Sequence, residues 1–241
     1  GFGSVQPSEF LKLGLPMMCA WYLSRRDLPP NLITVISTLA IIILPVLLIA
    51  KQPDLGTSLL VAASGIFVLF LAGLPWWMIG SAVAMMIPTV WVGWTFLMRD
   101  YQKQRVLTLF NPEADLLGAG WNITQSKTAI GSGGLTGKGY LEGTQSHLHF
   151  LPEGHTDFII AAFSEEFGLL GVSVLMFIYS CILIRCLYIA AIHVDTFGRL
   201  LAGAIAMSFF VYIFVNIGMV GGILPVVGVP LPLVSYGGTA I

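Results

Sequence analysis

Leu32–Ala50 reads LITVISTLAIIILPVLLIA, nineteen residues with no charge among them. A helix rises about 1.5 Å per residue and the hydrocarbon of a bilayer is about 30 Å thick, so roughly 20 apolar residues make one crossing. Outward from this run the same signal recurs. Glu9–Leu23, Thr57–Leu71, Trp76–Met98, Phe158–Tyr188 and Leu200–Val220 give five more apolar segments, and a seventh starts near Ser235. The first and third are short or partly polar, and the fifth is long enough to tilt or to project beyond the bilayer. Pro45 and Pro88 fall inside spans, where neighbouring helices can satisfy the freed carbonyls. The expected fold is all-α: a polytopic transmembrane helical bundle, with residues 1–241 forming a single integral membrane domain.

Composition agrees. Of 241 residues 56% are hydrophobic and 10% charged, and mean hydropathy is +0.89. Soluble domains carry about a quarter charged residues, so the main solvent of this chain is lipid. A net charge of −1 and the absence of a basic stripe exclude a nucleic-acid partner. Cys19, Cys181 and Cys186 sit in apolar runs and read as small buried hydrophobes. No internal repeat marks an inverted-repeat transporter.

Short loops set the orientation. Arg25 and Arg26 follow the first span, and Arg185 and Arg199 bracket the connection after the fifth; the positive-inside rule makes these cytoplasmic. Lys51, the long loop 99–156 and the segment Gly221–Val234 then lie outside. Loops beyond about 15 residues are uncommon unless functional or disordered. Trp121, Tyr140 and Phe150 give this one an ordered composition.

Polar residues gather at the outer boundary. Glu9 and Lys12 are three apart on one helical face, either a structural ion pair or part of a polar site. Asp54 is placed to cap the third span. In Leu151–Pro152–Glu153–Gly154–His155–Thr156–Asp157–Phe158, Thr156 reads as an N-cap and Asp157 as the opening of the long fifth helix, whose positive end keeps a carboxylate ionised. Asp157 is then either an ordinary first-turn acid or a proton acceptor. Glu165 and Glu166, further down, must face protein or water. The run Gly131–Lys138 looks like a phosphate loop but has Ser132 at its first glycine position and Gly139 where Ser or Thr is required. Its amides retain a weaker claim on a diphosphate. His147, His149 and His155 lack metal-site spacing, so no metal ligand is assigned.

Taken in order, several pieces resemble one family. They are Gln6–Pro7–Ser8–Glu9 with Lys12, Gln52–Pro53–Asp54–Leu55–Gly56–Thr57, Tyr101–Gln102–Lys103–Gln104–Arg105, Gln125–Ser126–Lys127 and Gly131–Ser132–Gly133–Gly134. The series continues through Gly143–Thr144–Gln145–Ser146, Leu151–Phe158, Glu165–Glu166, Asn216–Ile217–Gly218–Met219 and Pro232–Gly238. Together they are similar to the SEDS cell-wall polymerases, with Gly143–Ser146 and Val229–Pro232 favouring the elongation (RodA) branch over the division (FtsW) branch. The resemblance implies ten spans, of which this chain would carry the fourth to the start of the tenth. It implies a peptidoglycan glycosyltransferase of the bacterial inner membrane, its site facing the extracytoplasmic side, that polymerises lipid II with inversion for cell elongation. It also implies a class B penicillin-binding protein as partner.

Within that resemblance Asp157 is the base for the acceptor's 4-hydroxyl, and Glu9 and Lys12 support it. Arg105, Lys127, Lys138, Gln145, Ser146, His155 and Ser235 are candidates for substrate binding. No cofactor is assigned; a divalent cation is compatible with the chemistry, and no residue cluster demonstrates one. Two rivals share these features. A lipid II flippase would line a path through the midplane with polar residues, and a non-catalytic scaffold for a transpeptidase would tolerate loss of Asp157.

Overall fold

The structure, a computed structural model, describes residues 7–52, 54–111, 118–143 and 156–236. These form helices α1 (Pro7–Ser24), α2 (Leu32–Lys51), α3 (Leu55–Leu71), α4 (Trp76–Val92, prolonged by a π-helical turn Gly93–Leu97), α5 (Asp100–Phe110), α6 (Ala119–Gly133), α7 (Ile159–Ile192) and α8 (Thr196–Val220), with no strand among the described residues. The chain is a polytopic helical membrane protein. Among the described residues four helices are long and apolar enough to cross a bilayer: α2, α4 with its π turn, α7 and α8. The six apolar segments read from the sequence are all helical; α1 and α3 are the short pair. Ser235 stands in a turn, and residues 237–241 are outside the described set.

Helix starts follow from local chemistry. Asn31 caps α2 by accepting from the Thr34 amide at 2.9 Å, and Asp54 caps α3 by accepting from the Thr57 amide at 3.0 Å, as its position foretold. The long loop carries α5 and α6. Gln102 opens α5 by accepting from the Arg99 amide at 2.9 Å.

Two compact units divide the chain: residues 1–90 with 181–211, and residues 91–180 with 212–241. The first has a core of Leu15, Cys19 and Leu23 from α1, Val35, Ile42 and Ile49 from α2, Val61, Val68 and Leu69 from α3, and Leu200 and Ala204 from α8. Lipid tails are as apolar as these side chains, so close van der Waals fit has to hold such helices together. Gly65 supplies it: a Cβ there would stand 2.6 Å from Ile42 Cγ1. Outward faces are apolar, as in Leu44, Leu59 and Leu47, and α4 buries no residue at all. Cys19 is buried as expected, whereas Cys181 is exposed on the outer face of α7.

The second unit holds α5, α6, the first part of α7 and the end of α8. Ser126 ties α6 to the end of α8 by donating to the Val220 carbonyl at 2.8 Å. α7 is interrupted at Gly168, where the backbone turns left-handed (φ 64°).

Candidate functional site

Asp157 lies in the turn Thr156–Phe158 that precedes α7, not in the helix's first turn. The expectation that Thr156 caps α7 is therefore corrected. The physical reason is competition: side chains take the carbonyls that a helix would have used. Ser235 Oγ donates to the Thr156 carbonyl at 2.7 Å while accepting from the Leu231 amide at 2.7 Å. Asn216 Nδ2 donates to the Asp157 carbonyl at 2.9 Å and to the Val229 carbonyl at 2.6 Å. Asn216 is fully buried near the end of α8. Tyr179 adds a further tie, its hydroxyl donating to the Pro232 carbonyl at 2.7 Å. Asp157 is thus presented by a backbone fixed on both sides, with a half-buried side chain. Its carboxylate runs close to Gly228, where a Cβ would come within 3.3 Å of Oδ2.

The segment after α8 touches a second candidate. At Gly222 a Cβ would stand 2.5 Å from Lys127 Cε and 2.6 Å from its Nζ. Lys127 is exposed on α6. One segment therefore makes room with two glycines, one beside a candidate base and the other beside a candidate cation. Sequence reasoning missed Gly222, Gly228, the anchoring role of Asn216 and the tie from Tyr179. The signal available was a pair of glycines in an apolar stretch too irregular to be a span.

Other candidates separate. Arg105 is exposed on α5, its guanidinium 5.9 Å from the Tyr101 ring centre. Lys138 Nζ sits 2.7 Å from Oε1 of Glu165, which is wholly buried, so this lysine neutralises a protein carboxylate. The glycine run is also committed internally. The amides of Gly137, Lys138 and Gly139 donate to the carbonyls of Gly133, Glu165 and Glu166 at 2.8, 3.0 and 3.0 Å. These three amides are therefore taken and do not cradle a diphosphate: Gly137 closes the end of α6, and a break in α7 left the carbonyls that take Lys138 and Gly139. Glu9 and Lys12 lie on α1 in the first unit. Gln145, Ser146 and His155 lie outside the described residues. Among the described residues no group of three or more His, Cys, Asp or Glu could hold a metal ion.

Residues 1–241 match the family model of the cell cycle proteins FtsW, RodA and SpoVE. The chain belongs to that family. Within the FtsW/RodA/SpoVE family, the peptidoglycan glycosyltransferase MrdB of Escherichia coli K12 is 57% identical over 241 residues, covering 100% of this chain and 65% of the relative. A probable peptidoglycan glycosyltransferase FtsW of Trichlorobacter lovleyi is 38% identical over 241 residues, covering 99% of this chain and 62% of that protein. Among solved structures, a chain of a peptidoglycan synthase complex that coordinates polymerization and crosslinking matches with a TM-score of 0.80 at 30% identity, over 100% of this chain and 67% of that one. The chain spans about 65% of the length of the curated relatives it matches first.

Proposed function

We propose that the protein containing this chain is a peptidoglycan glycosyltransferase of the elongation branch, polymerising lipid II on the outer side of the bacterial inner membrane with Asp157 as base. The observation that carries it is the Asp157 turn, held through its backbone by Asn216 and Ser235, in a chain 57% identical to a named peptidoglycan glycosyltransferase. Gly143–Thr144–Gln145–Ser146 and Val229–Pro230–Leu231–Pro232 are the pieces that favour the elongation branch over the division branch.

The reaction makes simple demands. The acceptor's 4-hydroxyl gives its proton to Asp157 as its oxygen bonds to the donor's anomeric carbon. The bond from that carbon to the polyprenyl diphosphate breaks, and the diphosphate leaves with the electron pair. Attack from the opposite face inverts an α-linked donor to a β-linked strand. A base works when its carboxylate is held within hydrogen-bond reach of the hydroxyl, so a fixed backbone at Asp157 favours the role. Charge on the leaving diphosphate calls for cations. Lys127 and Arg105 are the exposed ones proposed for it, and Glu9 and Lys12 remain in the proposal as supporting residues of the first unit. Gln145, Ser146 and His155 are retained as proposed substrate contacts from the family resemblance. A class B penicillin-binding protein is the proposed partner, supported by the synthase complex among the matching structures. The single membrane domain over residues 1–241 is likewise proposed.

The test uses the full-length protein with its partner transpeptidase in detergent and labelled lipid II. Polymer from the native protein and none from well-folded Asp157→Ala is the expected result. Equal polymer from both would remove Asp157 as base. No polymer from either, with lipid II crossing sealed vesicles, would replace polymerisation by transport.

A further inference from the structure

α7 is two helices end to end. Without a break, the amides of Leu169 and Leu170 would donate to the carbonyls of Glu165 and Glu166 one turn back. At Gly168 the chain turns left-handed and those two bonds are lost. A segment from outside the helix takes their place. Leu169 and Leu170 donate to the carbonyls of Gly134 and Leu135 at 2.9 and 3.0 Å, and the carbonyls of Glu165 and Glu166 accept from Lys138 and Gly139 at 3.0 and 3.0 Å. All four backbone groups exposed by the break are satisfied by residues 134–139, as a lipid-embedded chain demands.

The fit leaves no slack. A Cβ on Gly168 would collide with the Gly137 amide nitrogen, one on Gly137 with the Glu166 carbonyl, and one on Gly133 with the Ser164 carbonyl. Tyr140 closes the seam with its ring centre 6.2 Å from that of Phe167. The ion pair from Lys138 to the buried Glu165 carboxylate, at 2.7 Å, locks the same segment to the end of the helical section that Asp157 precedes. Phe158, Ala161 and Glu165 share one buried face of that section, so its rotation and tilt are set at both ends.

We infer that Lys138 and Glu165 are positioning residues for Asp157. By clamping residues 134–139 into the break at Gly168, the pair fixes the direction of Ile159–Phe167 and so the place of the carboxylate at its head. This rests on the reading of Asp157 as the base. Lys138 acts through the helix, and the diphosphate cation is supplied elsewhere.

The experiment measures lipid II polymerisation by the full-length protein with its partner for Lys138→Met, Lys138→Arg and Glu165→Gln. It also measures hydrogen exchange at the Leu169 and Leu170 amides. Lys138→Met is expected to lower kcat about 10- to 100-fold, the scale of an ångström misplacement of a catalytic group. KM should be unchanged, the two amides should exchange faster, and Lys138→Arg should restore both readouts. A raised KM with kcat intact would make Lys138 a substrate ligand and overturn the inference, as would parental kcat in Lys138→Met. If Lys138→Met does not fold, Lys138→Arg decides: a folded arginine variant with parental amide protection but a collapsed kcat also overturns it. Asp157→Ala separates the two readings. It should abolish polymer with Leu169 and Leu170 still protected; retained polymer there sinks the base assignment, while faster exchange in Lys138→Met would still report the clamp.

Discussion

A side chain at residue 228 would meet the Asp157 carboxylate at 3.3 Å on a backbone with φ 71°, which L residues adopt at a cost of about 1–2 kcal/mol. Gly228→Val adds bulk on that side. Polymerisation by Gly228→Val is expected to fall about 10- to 100-fold, because a displaced base loses its approach to the hydroxyl. Comparing rate with thermal unfolding in detergent checks this, and a rate loss no larger than the loss of folded protein would refute it. Asn216 works from the other side. Asn216→Leu removes the donor from the buried Val229 carbonyl, at about 1–3 kcal/mol, and from the part-buried Asp157 carbonyl. A lower unfolding temperature together with reduced polymer yield is the expected outcome. Asp157 was legible as a candidate base only through the family resemblance of Leu151–Phe158, since a carboxylate beside a turn reads equally as an ordinary acid at a helix start. Its holders were not legible. Asn216 lies nearly sixty residues away, and nothing in helical periodicity says that an amide in α8 will reach a turn before α7.

Among elements, α3 and α7 show opposite uses of helix ends. Asp54 caps α3 on the Thr57 amide, and Asp54→Ala should cost about 0.5–2 kcal/mol of stability, read as a fall in unfolding temperature. That cap was visible in the sequence because capping is local: an acid, then the helix three residues on. The break in α7 was invisible for the converse reason. Glu165–Leu170 is a plain helical stretch with one glycine, and only the distant glycine run explains why the chain turns there. The same distance misled the reading of that run, whose amides look free for an anion until the helix they serve is in view. The six apolar segments were legible to within a few residues, since hydrocarbon thickness dictates their length.

At the scale of the whole molecule, the proposed orientation rests on charge. Arg25 stacks on Trp21 at 4.3 Å, Arg26 on Tyr22 at 5.2 Å and Arg185 on Tyr188 at 5.6 Å. Such pairs of cation and aromatic ring suit the headgroup level of one leaflet. Single cysteines at Lys51 and Val194, in a full-length protein lacking Cys19, Cys181 and Cys186, test the arrangement. An impermeant maleimide should label position 51 on intact spheroplasts and position 194 only after permeabilisation; the reverse pattern would invert the topology and put Asp157 on the cytoplasmic side.

The interrupted α7 has a consequence for biosynthesis. Chains emerge from the ribosome N-terminus first, and Gly134–Gly139 is made some thirty residues before the backbone gap at Gly168 that it fills. In the proposed orientation, with loop 99–156 outside, the filler is already across the bilayer when the broken helix is threaded in, and the exposed amides and carbonyls of the newcomer would meet a waiting template instead of bare lipid.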